Sequence, residues 1–419
     1  MDERIALTVS GQQQAAGGVL AGIIEPVRSL YIHVPFCFHK CHYCDFYSLV
    51  DSGDRQGEFT DRLIEELRFV SGSAGPLETI FVGGGTPTLL GVGHWRRLLA
   101  ALDASFDLAA IRAGAGEFTV ECNPETATPE LLAALVGGGV NRVSVGAQSF
   151  DERHLKTLER WHDPASVGRA LSICKDAGIE RRSLDLIYAI PGQTLDEWEH
   201  DLETALGVDP GLEHLSCYAL TYEPNTAMTA RLNRGEFAPA TEELEAAMYE
   251  RTVEWLRGAG FERYEVSNFA RGRSARSRHN LAYWRNESWL AAGPAASGHV
   301  VVGEAGGRRW KNTPNLRAWM AGVGQSGGPS PVIDVEAPDP ARALCERIMM
   351  GIRIEEGLDR AGLIEAAVRL GVDTAMAGAV QGQVEAGLVS EADGRVRLTE
   401  RGYLFADGVA GALMGVVGG

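Results

Sequence analysis

The sequence predicts an α/β protein: a partial (β/α)6 barrel, followed by a small α+β region and a C-terminal winged-helix-like domain. Between residues 29 and 220, short apolar runs alternate with amphipathic segments in the pattern of repeated βα units. After Pro224 the texture changes to a long helical stretch followed by short strand-like pieces. The remainder reads as helices around a short strand, the order of a small winged-helix domain. A chain of 419 residues has room for two or three domains at about 150 residues each. The expected boundaries are 1–28 for an N-terminal extension, 29–225 for the barrel, 226–335 for the α+β region and linker, and 336–419 for the last domain.

The candidate barrel strands are Leu30 to Val34, Thr79 to Val82, Phe118 to Glu121, Arg142 to Val145, Ser183 to Tyr188 and Leu215 to Leu220. Parallel neighbours need right-handed crossovers, and helical segments fill the gaps. One spans Asp61 to Val70, where Leu63, Ile64, Leu67 and Val70 share a face. Another begins with Thr128 as N-cap and Pro129 in the first helical position, and ends in Gly137-Gly138-Gly139. A complete eight-unit barrel is not visible. Further along, Glu242 to Arg257 predicts a long helix, and strands are expected at Tyr264 to Asn268, His299 to Val302 and Arg308 to Asn312. Gly322 to Pro340, rich in Gly, Pro and Ser, predicts a linker. Helices are then expected over Arg342 to Gly351, Leu358 to Leu370 and Ala375 to Ala386, a strand over Arg395 to Leu398, and a final helix from Thr399.

Hydrophobic residues make up 45% and charged residues 23%, close to globular averages, so the chain should fold. Its formal net charge of −17 repels phosphate backbones and argues against nucleic acid as a general partner. Ala15 to Ile24 is about half a membrane span, and its flanks do not match a secretory signal. The expected compartment is the cytoplasm.

Three of seven cysteines fall together, in Cys37-Phe-His-Lys-Cys41-His-Tyr-Cys44, directly after the first candidate strand. An odd total with one tight cluster points to a metal or cofactor site and away from a disulfide framework. Three thiolates on one loop can each ligate a different iron of a 4Fe-4S cluster, leaving the fourth iron open. The alternative is structural zinc, with His39 or His42 as fourth ligand. The other cysteines, Cys122, Cys174, Cys217 and Cys345, stand singly; the last three are expected to act as small buried apolar residues. In a βα barrel, functional groups gather at the C-terminal ends of strands, and Glu121, Gln148 and Asp185 fall at or just beyond such ends. Gly83 to Gly85 follow another strand, where the missing side chains are expected to let the backbone approach a small ligand closely and offer N–H groups to a carboxylate.

The segment His33-Val-Pro-Phe-Cys37 through Cys44-Asp-Phe46 resembles the signature of radical S-adenosylmethionine (SAM) proteins. More narrowly, it resembles the group that holds oxygen-independent coproporphyrinogen III oxidase and the haem chaperone HemW. The resemblance continues through Gly83-Gly84-Gly85-Thr86-Pro87-Thr88, Glu121-Cys-Asn-Pro124, Asn141 to Phe150, Asp185-Leu-Ile-Tyr188 and Pro191-Gly-Gln-Thr194. It implies that Cys37, Cys41 and Cys44 hold a 4Fe-4S cluster whose open iron takes the amino and carboxylate groups of SAM. By the same resemblance Tyr31, Tyr43, Gly84, Gly85, Thr86, Glu121, Gln148, Arg160 and Asp185 match SAM-contact positions, with Glu121 suited to the ammonium and Asp185 to the ribose hydroxyls or adenine region. Reduction of the cluster would cleave a carbon–sulfur bond of SAM and release a deoxyadenosyl radical.

Within that group, the oxidases typically carry a fourth cysteine two positions after the third, where this chain has Phe46, and usually a longer N-terminal segment. Arg278-His279-Asn280-Leu281-Ala282-Tyr283-Trp284 matches instead the HNxxYW motif of the HemW branch, associated there with haem binding. A neutral histidine is a common axial haem ligand, and Tyr283 and Trp284 could pack on a flat macrocycle. The plainer alternative is a satisfied histidine beside core aromatics. The resemblance thus implies a haem chaperone that binds haem as cargo and delivers it to acceptor haemoproteins, with respiratory enzymes the expected class. Peripheral membrane contact would come through those acceptors. The enzyme alternative is oxidative decarboxylation of coproporphyrinogen III.

Overall fold

The computed structural model describes residues 18–51, 54–303, 306–323 and 331–418. Most of the expected N-terminal extension and part of the expected linker lie outside these residues. The first described residues are held by Arg308, whose Nη1 donates to the carbonyls of Val19 and Ala21 at 3.0 and 2.7 Å.

Six parallel strands form the centre of a nine-stranded sheet. They are β1 (Val27–Val34), β2 (Ala74–Gly84), β3 (Glu117–Cys122), β4 (Arg142–Gln148), β5 (Arg181–Tyr188) and β6 (His214–Ala219), lying side by side in chain order. Helices α1 (Gln56–Val70), α2 (Val92–Ser105), α3 (Pro129–Gly137), α4 (Pro164–Asp176) and α5 (Leu195–Val208) lie within the crossovers between them. Their ends follow sequence chemistry. Thr128 accepts the Leu131 N–H ahead of Pro129, and Thr194 with Glu197 forms a reciprocal capping box.

Alternation along each strand sorts the two faces of the sheet. Leu30, Ile32, Ile80, Val82, Phe118, Val120, Val143, Val145, Leu184, Leu186 and Leu215 are buried in the apolar core they share with the helices. The other parity is largely polar and lines an internal cavity of about 1340 Å³.

The sheet gains three strands from beyond residue 225. After the long helix α6 (Glu242–Gly258) come β7 (Glu262–Arg263), β8 (Asn268–Ala270), α7 (Arg278–Trp284) and β9 (Leu290–Ala292). β9 pairs in parallel with β1, β8 pairs antiparallel with β6, and β7 pairs with β8, giving the order β9-β1-β2-β3-β4-β5-β6-β8-β7. The strand expected over Tyr264 to Asn268 is instead the connection between β7 and β8: Tyr264 N donates to Asn268 O at 3.1 Å, and the Tyr264 hydroxyl lies 2.8 Å from His214 Nε2.

A second sheet is built from β10 (Ser297–Val301), β11 (Gly307–Asn312) and β12 (Val332–Glu336) in antiparallel order. The linker expectation needs correction here, because β12 pairs with β11 and buries Val332 and Ile333. The C-terminal part is as expected in outline: helices Pro340–Gly351, Arg360–Leu370 and Asp373–Glu385, then a small sheet in which Arg395–Leu398 pairs with Leu358–Asp359 and Val389–Ala392. No helix among the described residues is long and apolar enough to cross a membrane.

Candidate functional site

The loop after β1 carries the three clustered cysteines to the mouth of the cavity, where all three line the wall. Gly85 and Thr86, just after β2, donate backbone N–H groups to the carbonyls of Val34 and Phe36 at 2.8 and 2.7 Å, fixing the start of the loop. On its other side Met228 N donates to His42 O at 2.8 Å, and His42 N donates to Leu158 O at 3.2 Å. Tyr43 packs against a small apolar cluster that includes Leu158, Ile187, Leu220 and Met228.

Two polar groups address the sulfurs. The Thr86 hydroxyl donates to Cys37 Sγ at 3.6 Å, and Arg160 Nη1 lies 3.9 Å from Cys41 Sγ. Arg160 Nη2 is held by Gly146 O at 2.9 Å, while its Nε is buried with no hydrogen-bond partner among the described residues. Burial pushes the Cys44 thiol up to about 12 and raises Cys37 as well, so a bound cationic group is what would hold these sulfurs as thiolates.

The three thiols are not drawn together as one tetrahedral ion would draw them. A tetrahedral zinc would draw its thiolates to about 3.8 Å from one another. Among the described residues, the set of three or more metal-type ligand atoms lying within 4.8 Å of one another is Asp151, His154 and Glu197, not the three cysteines. That acidic set is already spanned by Arg153 Nη2, which donates to Asp151 at 2.5 Å and Glu197 at 2.6 Å. His39 stacks flat on Trp161 with centroids 4.1 Å apart, and His42 Nδ1 lies 3.3 Å from Arg231.

The glycines at the end of β2 and just beyond it give their N–H groups to the protein itself, where a bound ligand was expected to take them. The N–H groups of Gly84, Gly85 and Thr86 are taken inside the protein by Glu121, Val34 and Phe36. What the absent side chains provide is contact. A Cβ on Gly84, which sits at φ +107°, would collide with the His33 ring, and one on Gly83 would meet Phe81 and Glu121 at 2.8 and 2.9 Å.

Glu121 is the inward residue near the end of β3, and burial together with the neighbouring Asp185 carboxylate pushes its pKa up to about 8. Asp185 lies mid-strand in β5, deeper than the expected strand end, where it accepts the Ser144 hydroxyl at 3.0 Å. Its own pKa is raised by burial, against the pull of hydrogen bonds from Ser216 and Ser144. Gln148 ends β4 in a left-handed conformation, φ 67°. A Cβ on Gly146 would meet Gln148 Nε2 at 2.8 Å and Arg160 Nη2 at 3.1 Å, so this glycine admits both side chains to the wall. The structure thus brings Cys37, Cys41, Cys44, Tyr43, Gly84, Gly85, Thr86, Glu121, Gln148, Arg160 and Asp185 around one cavity. Tyr31 stands behind its wall, with its hydroxyl 3.0 Å from His33 Nδ1 and its ring stacked on Phe81.

His279 lines the same cavity from its floor, at the end opposite the cysteine loop. It is 1% exposed, its Nδ1 lies 2.7 Å from the Thr79 hydroxyl and its Nε2 lies 2.9 Å from the Tyr283 hydroxyl. Both ring nitrogens are committed, which differs from the expectation of an axial ligand with a nitrogen to offer. Burial drives its pKa down to about 3, so the ring is neutral. The N-terminus of α7 is fixed by Glu117, which accepts the backbone N–H groups of Arg278 and His279 at 3.1 and 3.2 Å. Glu117 and its partner Arg142, 3.7 Å away, escaped the sequence reading. The available signal was parity, since Glu117 shares the inward face with Glu121, and Arg142 with Ser144 and Gln148.

Residues 31–205 match the Radical SAM superfamily and residues 339–405 the HemN C-terminal domain. The chain is 33% identical to the heme chaperone HemW of Bacillus subtilis, over 93% of this chain and 100% of that protein. It is 34% identical to HemW of Escherichia coli over 91% and 96%, and 36% identical to HemW of Mycobacterium tuberculosis over 92% and 94%. Among solved structures, coproporphyrinogen III oxidase (HemN) from Escherichia coli superposes with a TM-score of 0.78 at 19% identity, covering 94% of this chain and 92% of that one. At that identity the likeness speaks for the fold.

Proposed function

The chain belongs to the HemW family of radical SAM proteins, and from that premise we propose that it is a haem chaperone holding a 4Fe-4S cluster and SAM and delivering haem to acceptor haemoproteins. The observation that carries the reading is the convergence of the three-thiol loop and the acid pair Glu121 and Asp185 on one cavity. When bound, the cluster and SAM supply one-electron cleavage of a carbon–sulfur bond.

Cys37, Cys41 and Cys44 would hold the cluster, with Arg160 and Thr86 offsetting the negative charge on the sulfurs. Glu121 would take the ligand's ammonium, and the unpartnered Arg160 Nε suits its carboxylate. Asp185, oriented by Ser144, would accept the ribose hydroxyls, while Gln148 and Tyr43 close the walls and Tyr31 backs them through Phe81 and His33. For haem, the mouth exposes Phe38, Phe46 and Trp161, a flat apolar margin suited to a macrocycle.

Respiratory enzymes as acceptors, a cytoplasmic site of action and membrane contact only through those acceptors complete the proposal. Titration of haem into anaerobically reconstituted protein tests it. Saturable binding, weakened in Trp161→Ala, is expected; absence of saturable binding with and without SAM would end the reading.

A further inference from the structure

Resting on the SAM site proposed above, we infer that His279 is a positioning residue for that site, bracing its inner wall from the barrel floor, and is not a ligand to haem iron. The first observation is the route of contact. The imidazole lies against Phe81 with centroids 5.4 Å apart and planes 25° apart, and Phe81 lies against Tyr31 at 6.3 Å and 26°. Phe81 and Glu121 flank the same point, since a Cβ on Gly83 would touch both. Tyr31 continues the path by its hydroxyl to His33, whose ring fills the space a side chain on Gly84 would need. Displacing His279 therefore frees Phe81, and with it the surfaces that aim Glu121 and seat the glycine loop.

The second observation is that the imidazole is fixed at both ends. Thr79 on β2 holds Nδ1 and Tyr283, one helical turn on, holds Nε2. Tyr283 is itself wedged edge-on against Trp289 at 4.6 Å, just before β9 pairs with β1 through Ala291 and Tyr31. Although the ring lines the cavity, iron ligation would require it to give up one of these two bonds, and the Tyr283 hydroxyl that holds Nε2 is itself fixed by the packing of its ring on Trp289. The motif that begins at His279 thus connects floor, edge strand and SAM wall.

The test uses cluster-loaded full-length protein and three separate readouts: iron and sulfide content, equilibrium SAM binding, and haem binding by absorption titration. His279→Ala should keep its cluster and its haem affinity while losing about tenfold in SAM affinity, the scale of one or two displaced hydrogen bonds. Tyr283→Phe, which removes only the hydroxyl, should move SAM affinity in the same direction by a smaller factor, and covers the case in which His279→Ala does not fold. His279→Gln, which retains an amide in reach of Tyr283, should recover part of the loss. A changed haem spectrum or weakened haem binding in His279→Ala or Tyr283→Phe, with SAM affinity at the wild-type level, would overturn the inference. Wild-type protein that binds no SAM would instead refute the SAM site itself.

Discussion

The Gly84 N–H donates to Glu121 Oε2 at 3.2 Å, so the glycine loop and the carboxylate facing the cavity are one unit. Removing the carboxylate should then affect ligand affinity and leave cluster assembly intact. A charge-assisted hydrogen bond is worth about 1.5 to 3 kcal/mol. Glu121→Ala and Asp185→Ala should each weaken SAM binding by roughly ten- to a hundred-fold. Equilibrium binding to cluster-loaded variants checks this, and wild-type affinity in both would remove the acid pair from the site.

The same carboxylate gives a pH dependence whose sign is fixed. Its folded pKa of about 8 lies above the ordinary value of 4.5, so between those pH values the folded chain keeps a proton that the unfolded chain gives up. Stability from this group is present below pH 4.5 and is lost as pH rises towards 8. Glu121→Gln should therefore gain on the wild type across that window, by on the order of a few kcal/mol at its upper end. Chemical denaturation of cluster-free protein at pH 5, 6.5 and 8 would show the gap widening; a constant gap contradicts the assignment.

Cluster assembly should require the loop thiols and not the scattered ones. Cys217 is 2% exposed on the core side of β6, away from the loop sequence. After anaerobic reconstitution, Cys41→Ala should lose most of its iron and sulfide while Cys217→Ala retains both. Equal content in the two proteins would reject the three-cysteine site.

Glu66 should matter for stability alone. It is 1% exposed on α1 and accepts Gly293 N at 2.6 Å, Asn312 Nδ2 at 3.2 Å and Trp319 Nε1 at 3.2 Å, joining three segments of the α+β region to the barrel. Glu66→Ala strands those donors, at a cost of roughly 3 kcal/mol or more. A lowered denaturation midpoint with unchanged cluster content per folded protein is the expected result.

The parts of this architecture that were legible in the sequence are those set by local pattern. The strand cores, the Thr128 cap, the three-cysteine loop and the acids near strand ends all follow from residues a few positions apart. β12 was hidden because Gly, Pro and Ser around Gly322 to Pro340 mask a strand that, among the described residues, pairs only with β11. The Gly84 and Gly85 amides were misjudged because their acceptors, Glu121 and Val34, come from neighbouring strands. His279 shows the same limit most clearly, since Thr79, which takes one of its nitrogens, lies 200 residues away in sequence. A histidine in a motif looks available until the fold supplies its partners.

Phe46 stands on the exposed rim of the cavity, at the position where the oxidases typically carry a further cysteine. The most direct measurement is therefore a parallel assay of reconstituted wild-type protein for haem transfer to an apo-haemoprotein and for decarboxylation of coproporphyrinogen III. The account predicts transfer of bound haem with no vinyl-bearing product; sustained decarboxylation with no transfer to any acceptor tested would contradict it.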